Sequence, residues 1–370
     1  MSNTPQTPGR IMAWQMVRPC TDDTTTGEVQ EGILKPADIP VPELGEGDVL
    51  VEIAGCGVCR TDLSYFYHGV PTLNPPPLTL GHEITGTVVA GKEDMIGKEV
   101  IIPAVMPCGS CDICLSGRGN RCLAQKMPGN SLGIYGGFAS HIPVPARDLC
   151  VVEDRGPHTL AELAVIADAC TTPYQAATRA SLKKGDNVIV IGTGGGVGVY
   201  MTQIAKALGA RTVIGMDIDE GKLERALQYG ADHTMNVLGK DDREVVAEYK
   251  RYIKERGLPA HGWKIFEVTG TDDGQSIALG LLSFVGKLVV IGFGMQKNQY
   301  PISRLMALDA EIIGTWGCLP RHYPRVLDMV ISGSIMIDPF VELRPMSTIR
   351  DSFEDARRGQ DRRIILTPDF

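Results

Sequence analysis

The chain has no apolar run approaching the ~18 residues that a membrane-spanning helix needs. Its start lacks the apolar stretch of a secretory signal: residues 1–9 are polar and proline-containing and read as a loose tail. A membrane protein and an exported protein are therefore both unexpected, and the cytoplasm is the expected compartment. A basic surplus is missing too. Lys and Arg number 36 against 44 Asp and Glu, a net charge of −8 that leaves nothing to neutralise a nucleic-acid backbone. General nucleic-acid binding is excluded on that ground, whereas a local basic pocket for one phosphorylated ligand is not. Internal repeats and low-complexity stretches are also absent, which removes solenoids and linker-like chains. What remains is an ordinary globular composition, 43% hydrophobic and 22% charged, over 370 residues. That length suffices for two domains with sizeable cores.

Ten cysteines are the first positive signal. Without a secretory signal they point to a reducing compartment and to metal rather than to disulfides. Four of them form Cys108-x2-Cys111-x2-Cys114-x7-Cys122, among Gly109, Gly117 and Gly119. Thiolates at this spacing converge on one ion, about 2.3 Å from each sulfur, without long-range folding. That suits a closed, structural zinc site. The competing reading is a pair of disulfides, which would be strained at such short separations.

The texture of the chain changes along its length. From about residue 48 to 141 it is short, alternating and punctuated by glycine and proline, with strands expected at 49–53 and 99–102. A β-rich, barrel-like first domain follows. Pro75-Pro76-Pro77 forces an extended or turning segment before His82. After about Ala167, strands alternate with helices: strands at 187–191, 212–216, 264–268 and 288–293, helices at 198–208, 242–256 and 275–284. Such alternation implies a parallel sheet covered on both faces. The tail from about Gly317 holds two helix candidates and a last apolar segment, Ile364-Ile365-Leu366.

Gly192-Thr193-Gly194-Gly195-Gly196-Val197-Gly198 sits between a buried strand and a helix. Glycines there allow a tight turn and bring backbone N–H groups and a helix N-terminus to a pyrophosphate. Asp217, 19 residues beyond Gly198, ends the next strand, where a carboxylate binds a ribose 2′-OH and repels a 2′-phosphate. NAD is therefore expected over NADP. Counted back from Gly198, the first glycine position holds Thr193, so the turn is a one-residue-longer variant. The competing reading is a structural turn followed by a surface aspartate.

Together with Cys59-Arg60-Thr61-Asp62 and Gly81-His82-Glu83, these features resemble the zinc-dependent medium-chain alcohol dehydrogenases over nearly the whole chain. The resemblance implies an α/β architecture of two domains, a GroES-like β-rich catalytic domain and a Rossmann doubly wound NAD-binding domain. The boundaries expected are 1–169 for the catalytic domain with its zinc lobe at 107–123, 170–316 for the Rossmann domain, and 317–370 returning to the first. It implies a catalytic zinc held by Cys59 and His82, with the third ligand in Asp168-Ala169-Cys170-Thr171-Thr172-Pro173-Tyr174. Aligned on Thr172 and Tyr174 the ligand is Asp168; Cys170, or a merely structural Asp168, stays open.

Asp62 would hold the His82 ring, Glu83 would support ligand exchange, Thr61 would begin a proton relay and Arg60 would meet the pyrophosphate. Thr172, Val268, Ile291 and Phe293 are implied as further cofactor contacts. Lys222 is either an adenosine-ribose contact or a solvated helix lysine. A histidine that many relatives carry three residues after Thr61 is replaced by Ser64, with His68 as a nearby substitute candidate. The implied reaction is alcohol oxidation through a zinc-bound alkoxide, with hydride passing to NAD.

Longer stretches resemble one branch of the family, the 6-hydroxycyclohex-1-ene-1-carbonyl-CoA dehydrogenases of anaerobic benzoyl-CoA degradation. They are Phe66-Tyr67-His68-Gly69-Val70, Ile102-Pro103-Ala104-Val105-Met106-Pro107-Cys108, Ala124-Gln125-Lys126-Met127-Pro128-Gly129-Asn130 and Gly136-Gly137-Phe138-Ala139-Ser140-His141. This implies an alicyclic acyl-CoA substrate, with Lys126, Lys297, Arg304 and Arg321 as candidate cations for its phosphates. A simple or polyol alcohol is the alternative substrate. Homo-oligomers, dimers or tetramers, are implied as well.

Overall fold

The computed structural model describes residues 8–22, 29–359 and 361–370. Of the tail read over residues 1–9, residues 1–7 lie outside the described ones. The chain divides into two compact units. One comprises the residues up to Thr171 together with Gly317–Ser332 and Ile337–Phe370; the other comprises Thr172–Trp316 and Gly333–Met336.

The first unit is β-rich. Its strands begin earlier than the sequence patterning suggests: Arg10–Arg18 pairs antiparallel with Ile33–Pro40. The strand at its centre is Asp48–Gly57, longer than the five residues expected. It pairs with Glu83–Gly91, with His141–Pro145 and with the last strand, Arg363–Thr367. That last pairing brings the C-terminal tail beside the segment that leads into Cys59. The unit's inner strands are buried at consecutive positions, with Val49, Leu50, Val51, Ile84, Val100, Ile102, Ile142 and Val144 inside one core.

The second unit is a six-stranded, all-parallel sheet. Its strands, in chain order, are Asn187–Ile191, Thr212–Asp217, His233–Asn236, Lys264–Glu267, Lys287–Val290 and Glu311–Gly314. Their order across the sheet is 3-2-1-4-5-6, the doubly wound arrangement whose chain reversal lies between strands 1 and 4. Asn187–Ile191 is buried at all five positions because helices cover both faces.

Boundaries differ from expectation in places. The fifth strand stops at Val290, so Ile291 and Phe293 lie beyond it, in the loop after the ladder ends. The helix expected at 275–284 runs Asp272–Leu281, because the Thr271 hydroxyl accepts the Gly274 N–H and caps it three residues earlier. No helix among the described residues is long and apolar enough to cross a membrane.

Candidate metal centre and dinucleotide turn

Cys59 ends an extended segment and caps the helix Arg60–Tyr67. Asp62, in the first turn, accepts the Cys59 N–H at 3.0 Å with one oxygen. Its other oxygen accepts the Gly81 N–H at 3.0 Å and lies 3.3 Å from His82 Nδ1. One carboxylate thus ties two chain segments together and leaves His82 Nε2 turned the other way. Asp168 Oδ2 lies 3.8 Å from both that nitrogen and Cys59 Sγ. With Glu83, these residues offer four donor atoms within 4.8 Å of one another. Cys170 is fully buried and stands outside that set.

The donor set fits a cation. A tetrahedral zinc with ordinary bond lengths separates a sulfur from an oxygen ligand by about 3.5 Å, close to the spacing found. The charge balance argues the same way. Burial works against a charged imidazole at His82, yet Asp62, then Asp168 and Cys59, outweigh it and hold its pKa well above the usual histidine value. Burial also lifts Glu83 to about 7, against the opposing pull of Arg363. Both buried oxygens of Glu83 lack a hydrogen bond. Gly57 makes room for this side chain, since a Cβ there would stand 2.0 Å from Glu83 Oε2.

Arg363, the first residue of the last strand, is a feature the sequence reading missed. Its Nη2 is 3.4 Å from Glu83 Oε1, its Nη1 donates to the Val58 carbonyl at 2.9 Å, and only 8% of its side chain is exposed. An arginine opening an otherwise apolar core strand was the available signal. Thr61 Oγ1 stands 3.7 Å from Cys59 Sγ. Ser64 Oγ donates to the Arg60 carbonyl at 2.9 Å and is committed within the helix, while Arg60 and His68 are exposed.

Cys108, Cys111, Cys114 and Cys122 converge as a second donor set. Their sulfurs are 3.5, 3.7 and 3.9 Å apart for the pairs 111–114, 111–122 and 108–114. A tetrahedron with metal–sulfur bonds of 2.3 Å has edges of about 3.8 Å, so the four thiols already stand at its corners. All the cysteines are free thiols, which answers the disulfide alternative. Backbone N–H groups of Ser110 and Cys111 draw Cys108 down to about 6, toward the thiolate a metal needs.

In the second unit the glycine turn follows strand 1 and opens the helix Gly198–Ala207. Gly192 has φ +87°, and a Cβ on Gly198 would stand 1.9 Å from the Gly192 carbonyl oxygen. The sharp turn is therefore made by Gly192, one residue before Thr193, whose hydroxyl is buried against Thr202 at 2.7 Å. Gly195 and Gly196 are exposed and Val197 partly so. Asp217 reaches back to this turn: Oδ2 accepts the Gly194 N–H at 2.8 Å, Oδ1 that of Ile218 at 2.8 Å. The Lys222 side chain packs over Gly194, where a Cβ would stand 2.3 Å from Lys222 Cβ. Val268 donates its N–H to the Ile191 carbonyl at 3.1 Å, and Ile291 its N–H to Glu267 at 2.9 Å. Thr172 is buried in the first turn of the helix Thr171–Arg179, whereas Phe293 is 68% exposed. Lys126, Lys297, Arg304 and Arg321 are all exposed, two on each unit.

Comparison with known proteins gives these sites a context. Residues 45–154 match the alcohol dehydrogenase GroES-like domain, and residues 196–332 match the zinc-binding dehydrogenase family. An NAD-dependent alcohol dehydrogenase of Sulfolobus acidocaldarius is 31% identical, over 89% of this chain and 92% of its own. A sorbitol dehydrogenase of Bombyx mori is 26% identical over 89% and 93%. Among solved structures, an acetophenone reductase of Geotrichum candidum in complex with NAD superposes with a TM-score of 0.80 at 27% identity, covering 98% of each chain. The chain therefore belongs to the zinc-binding medium-chain alcohol dehydrogenase family and is an oxidoreductase acting on CH–OH groups.

Proposed function

We propose that the protein oxidises the ring secondary alcohol of 6-hydroxycyclohex-1-ene-1-carbonyl-CoA to the 6-oxo product, a step of anaerobic benzoyl-CoA degradation, with NAD as hydride acceptor. The observation that carries the chemistry is the set of buried Cys59 and His82 with partly buried Asp168, and buried Glu83 beside it. Zinc, when bound there, acidifies the alcohol and polarises its oxygen. The reaction consumes the alcohol and NAD⁺ and releases ketone, NADH and one proton.

The chain's own groups divide the remaining work. Asp62 fixes the His82 ring and its tautomer. Thr61 would take the hydroxyl proton while passing its own to water, because Ser64 is committed to Arg60 and His68 is exposed. The backbone of residues 192–198 and the N-terminus of its helix would receive the pyrophosphate. Asp217, held by two backbone N–H groups, keeps lone pairs for a ribose 2′-OH and repels a 2′-phosphate. The four cysteines hold a second, structural zinc.

The acyl-CoA assignment rests on the extended sequence stretches and on chemistry: conjugation of the product enone lowers the cost of oxidation. A simple or polyol alcohol is the second reading, favoured by the sorbitol dehydrogenase among the relatives. Support for a homodimer comes from Glu311–Gly314, a sheet-edge strand that carries exposed Ile312 and follows the helix Ser303–Leu308 with exposed Met306. Mixing enzyme and NAD⁺ with the thioester, and separately with free cyclohexenol, decides the substrate. NADH from the thioester alone supports the proposal; turnover of free alcohols alone discards the acyl-CoA.

A further inference from the structure

Asp168 belongs to no regular element. It follows the 3-10 helix Glu162–Ala167, precedes the helix Thr171–Arg179, and has φ −141° and ψ −55°. Neither helix dictates where its carboxylate goes, so something outside them must. The peptide group that joins Ala167 to Asp168 is the lever, because its plane together with the Asp168 φ of −141° sets the direction of the Cα–Cβ bond.

That peptide is held by two hydroxyls. The Tyr323 phenol donates to the Ala167 carbonyl at 2.5 Å, and the Thr171 hydroxyl shares its one proton between the same oxygen at 3.2 Å and the Asp168 carbonyl at 3.4 Å. Tyr323 is fully buried at the start of the helix Tyr323–Ile331. Its oxygen also accepts the Ala104 N–H at 3.0 Å, just past the strand Glu99–Ile102 that leads to the cysteine lobe. The phenol therefore uses its donor and one lone pair at fixed points, and its own position is fixed by packing. Removing the phenol hydroxyl takes a partner from the Ala104 N–H and from the Ala167 carbonyl without changing the apolar packing of the ring. Phe at 323 would fill the same space.

We propose that Tyr323, seconded by Thr171, is a positioning residue for the metal centre: the two hydroxyls clamp the Ala167 carbonyl and thereby aim the Asp168 carboxylate at Cys59 and His82. The inference rests on the reading of Asp168 as a metal ligand. It assigns the C-terminal return of the chain a role in metal retention, through a residue that is not itself one of the four donors.

The test uses the full-length zinc enzyme and the variants Tyr323→Phe, Thr171→Val and Asp168→Ala. Zinc release to a chromogenic chelator is timed, and the visible absorption of the cobalt-substituted protein is recorded. Outer partners of metal ligands typically govern affinity by about 10–100-fold. Tyr323→Phe is expected to release one of its two zinc ions at least about tenfold faster, with the other unchanged and the cobalt d–d bands shifted. Thr171→Val should do the same to a smaller extent. A Tyr323→Phe enzyme with native release kinetics and native cobalt bands overturns the inference, whatever its melting temperature. Should that variant fail to fold, native behaviour of Thr171→Val overturns it instead. Asp168→Ala separates the two levels. If it keeps both ions as tightly as the parent, the ligand assignment itself fails. If it loses one while both hydroxyl variants behave as the parent, only the positioning role fails.

Discussion

Asp62 Oδ1 lies 3.3 Å from His82 Nδ1, and the second oxygen of the same carboxylate accepts the Cys59 N–H at 3.0 Å. One buried acid thus orients the imidazole and locks the cysteine segment. Asp62→Asn preserves the shape but removes the charge that faces the ring. The expected outcome is a 10- to 100-fold (roughly) weaker hold on one zinc ion, with the second retained. Metal analysis after dialysis against a chelator measures this; full retention of both ions would show that Asp62 is only a helix-capping residue.

Cys111→Ser should act on stability rather than chemistry. Removing one corner of the sulfur tetrahedron at residues 108–122 leaves three thiols that cannot close it. Loss of one zinc and a melting temperature lowered by about 5 °C are expected, with kcat per folded molecule unchanged. A variant of native stability but reduced kcat would move this zinc from scaffold to active site.

Asp217→Ala removes both the 2′-OH partner and the acceptor for the Gly194 N–H. The KM for NAD should rise and the NAD:NADP preference should fall by about tenfold or more, the equivalent of one hydrogen bond to a charged group. Steady-state kinetics with the two cofactors check it. An unchanged preference contradicts the placement of Asp217 at the ribose.

Glu267 supplies a pH-dependent prediction away from the metal. Its Oε1 accepts from the backbone N–H groups of Thr269 and Gly270, Oε2 is buried without a partner, and burial raises its pKa. A raised native value means the folded chain holds the proton more tightly than the unfolded chain. The associated stability is complete below the unfolded value, about pH 4.3, and is lost as pH rises through the folded value. Glu267→Gln should therefore melt higher than the parent at pH 8, the gap closing toward pH 4. Thermal melts across that range measure it, and a gap independent of pH contradicts the buried-charge account.

The sequence displays the Rossmann unit because its inner strands, such as Asn187–Ile191, are buried on both faces and therefore written in continuous apolar residues. Its outer strands carry no such mark. His233–Asn236 buries only Met235, and Glu311–Gly314 is largely exposed at the sheet edge, so neither shows a hydrophobic period. The same limit hid the first strand: Arg10–Arg18 alternates buried and exposed positions, but Trp14 and Gln15 blur the pattern.

At the candidate site, legibility depended on sequence distance. Cys59, Asp62, His82 and Glu83 lie in short motifs whose spacing is itself the signal. Arg363 and Tyr323 reach the site across 305 and 156 residues, to Val58 and Ala167, and only the packed chain reveals them. The fifth strand shows the reverse: the apolar run suggests that it continues to 293, but it ends at Val290, and Phe293 lies exposed in the loop beyond it.

The most direct test of a zinc-dependent, NAD-linked dehydrogenase is to measure zinc content, NAD binding and NADH formation on one preparation of His82→Ala. The account predicts one zinc ion remaining in the cysteine lobe, NAD affinity within about twofold of the parent, and no alcohol oxidation. Sustained NADH formation by a variant that has lost one zinc would contradict it.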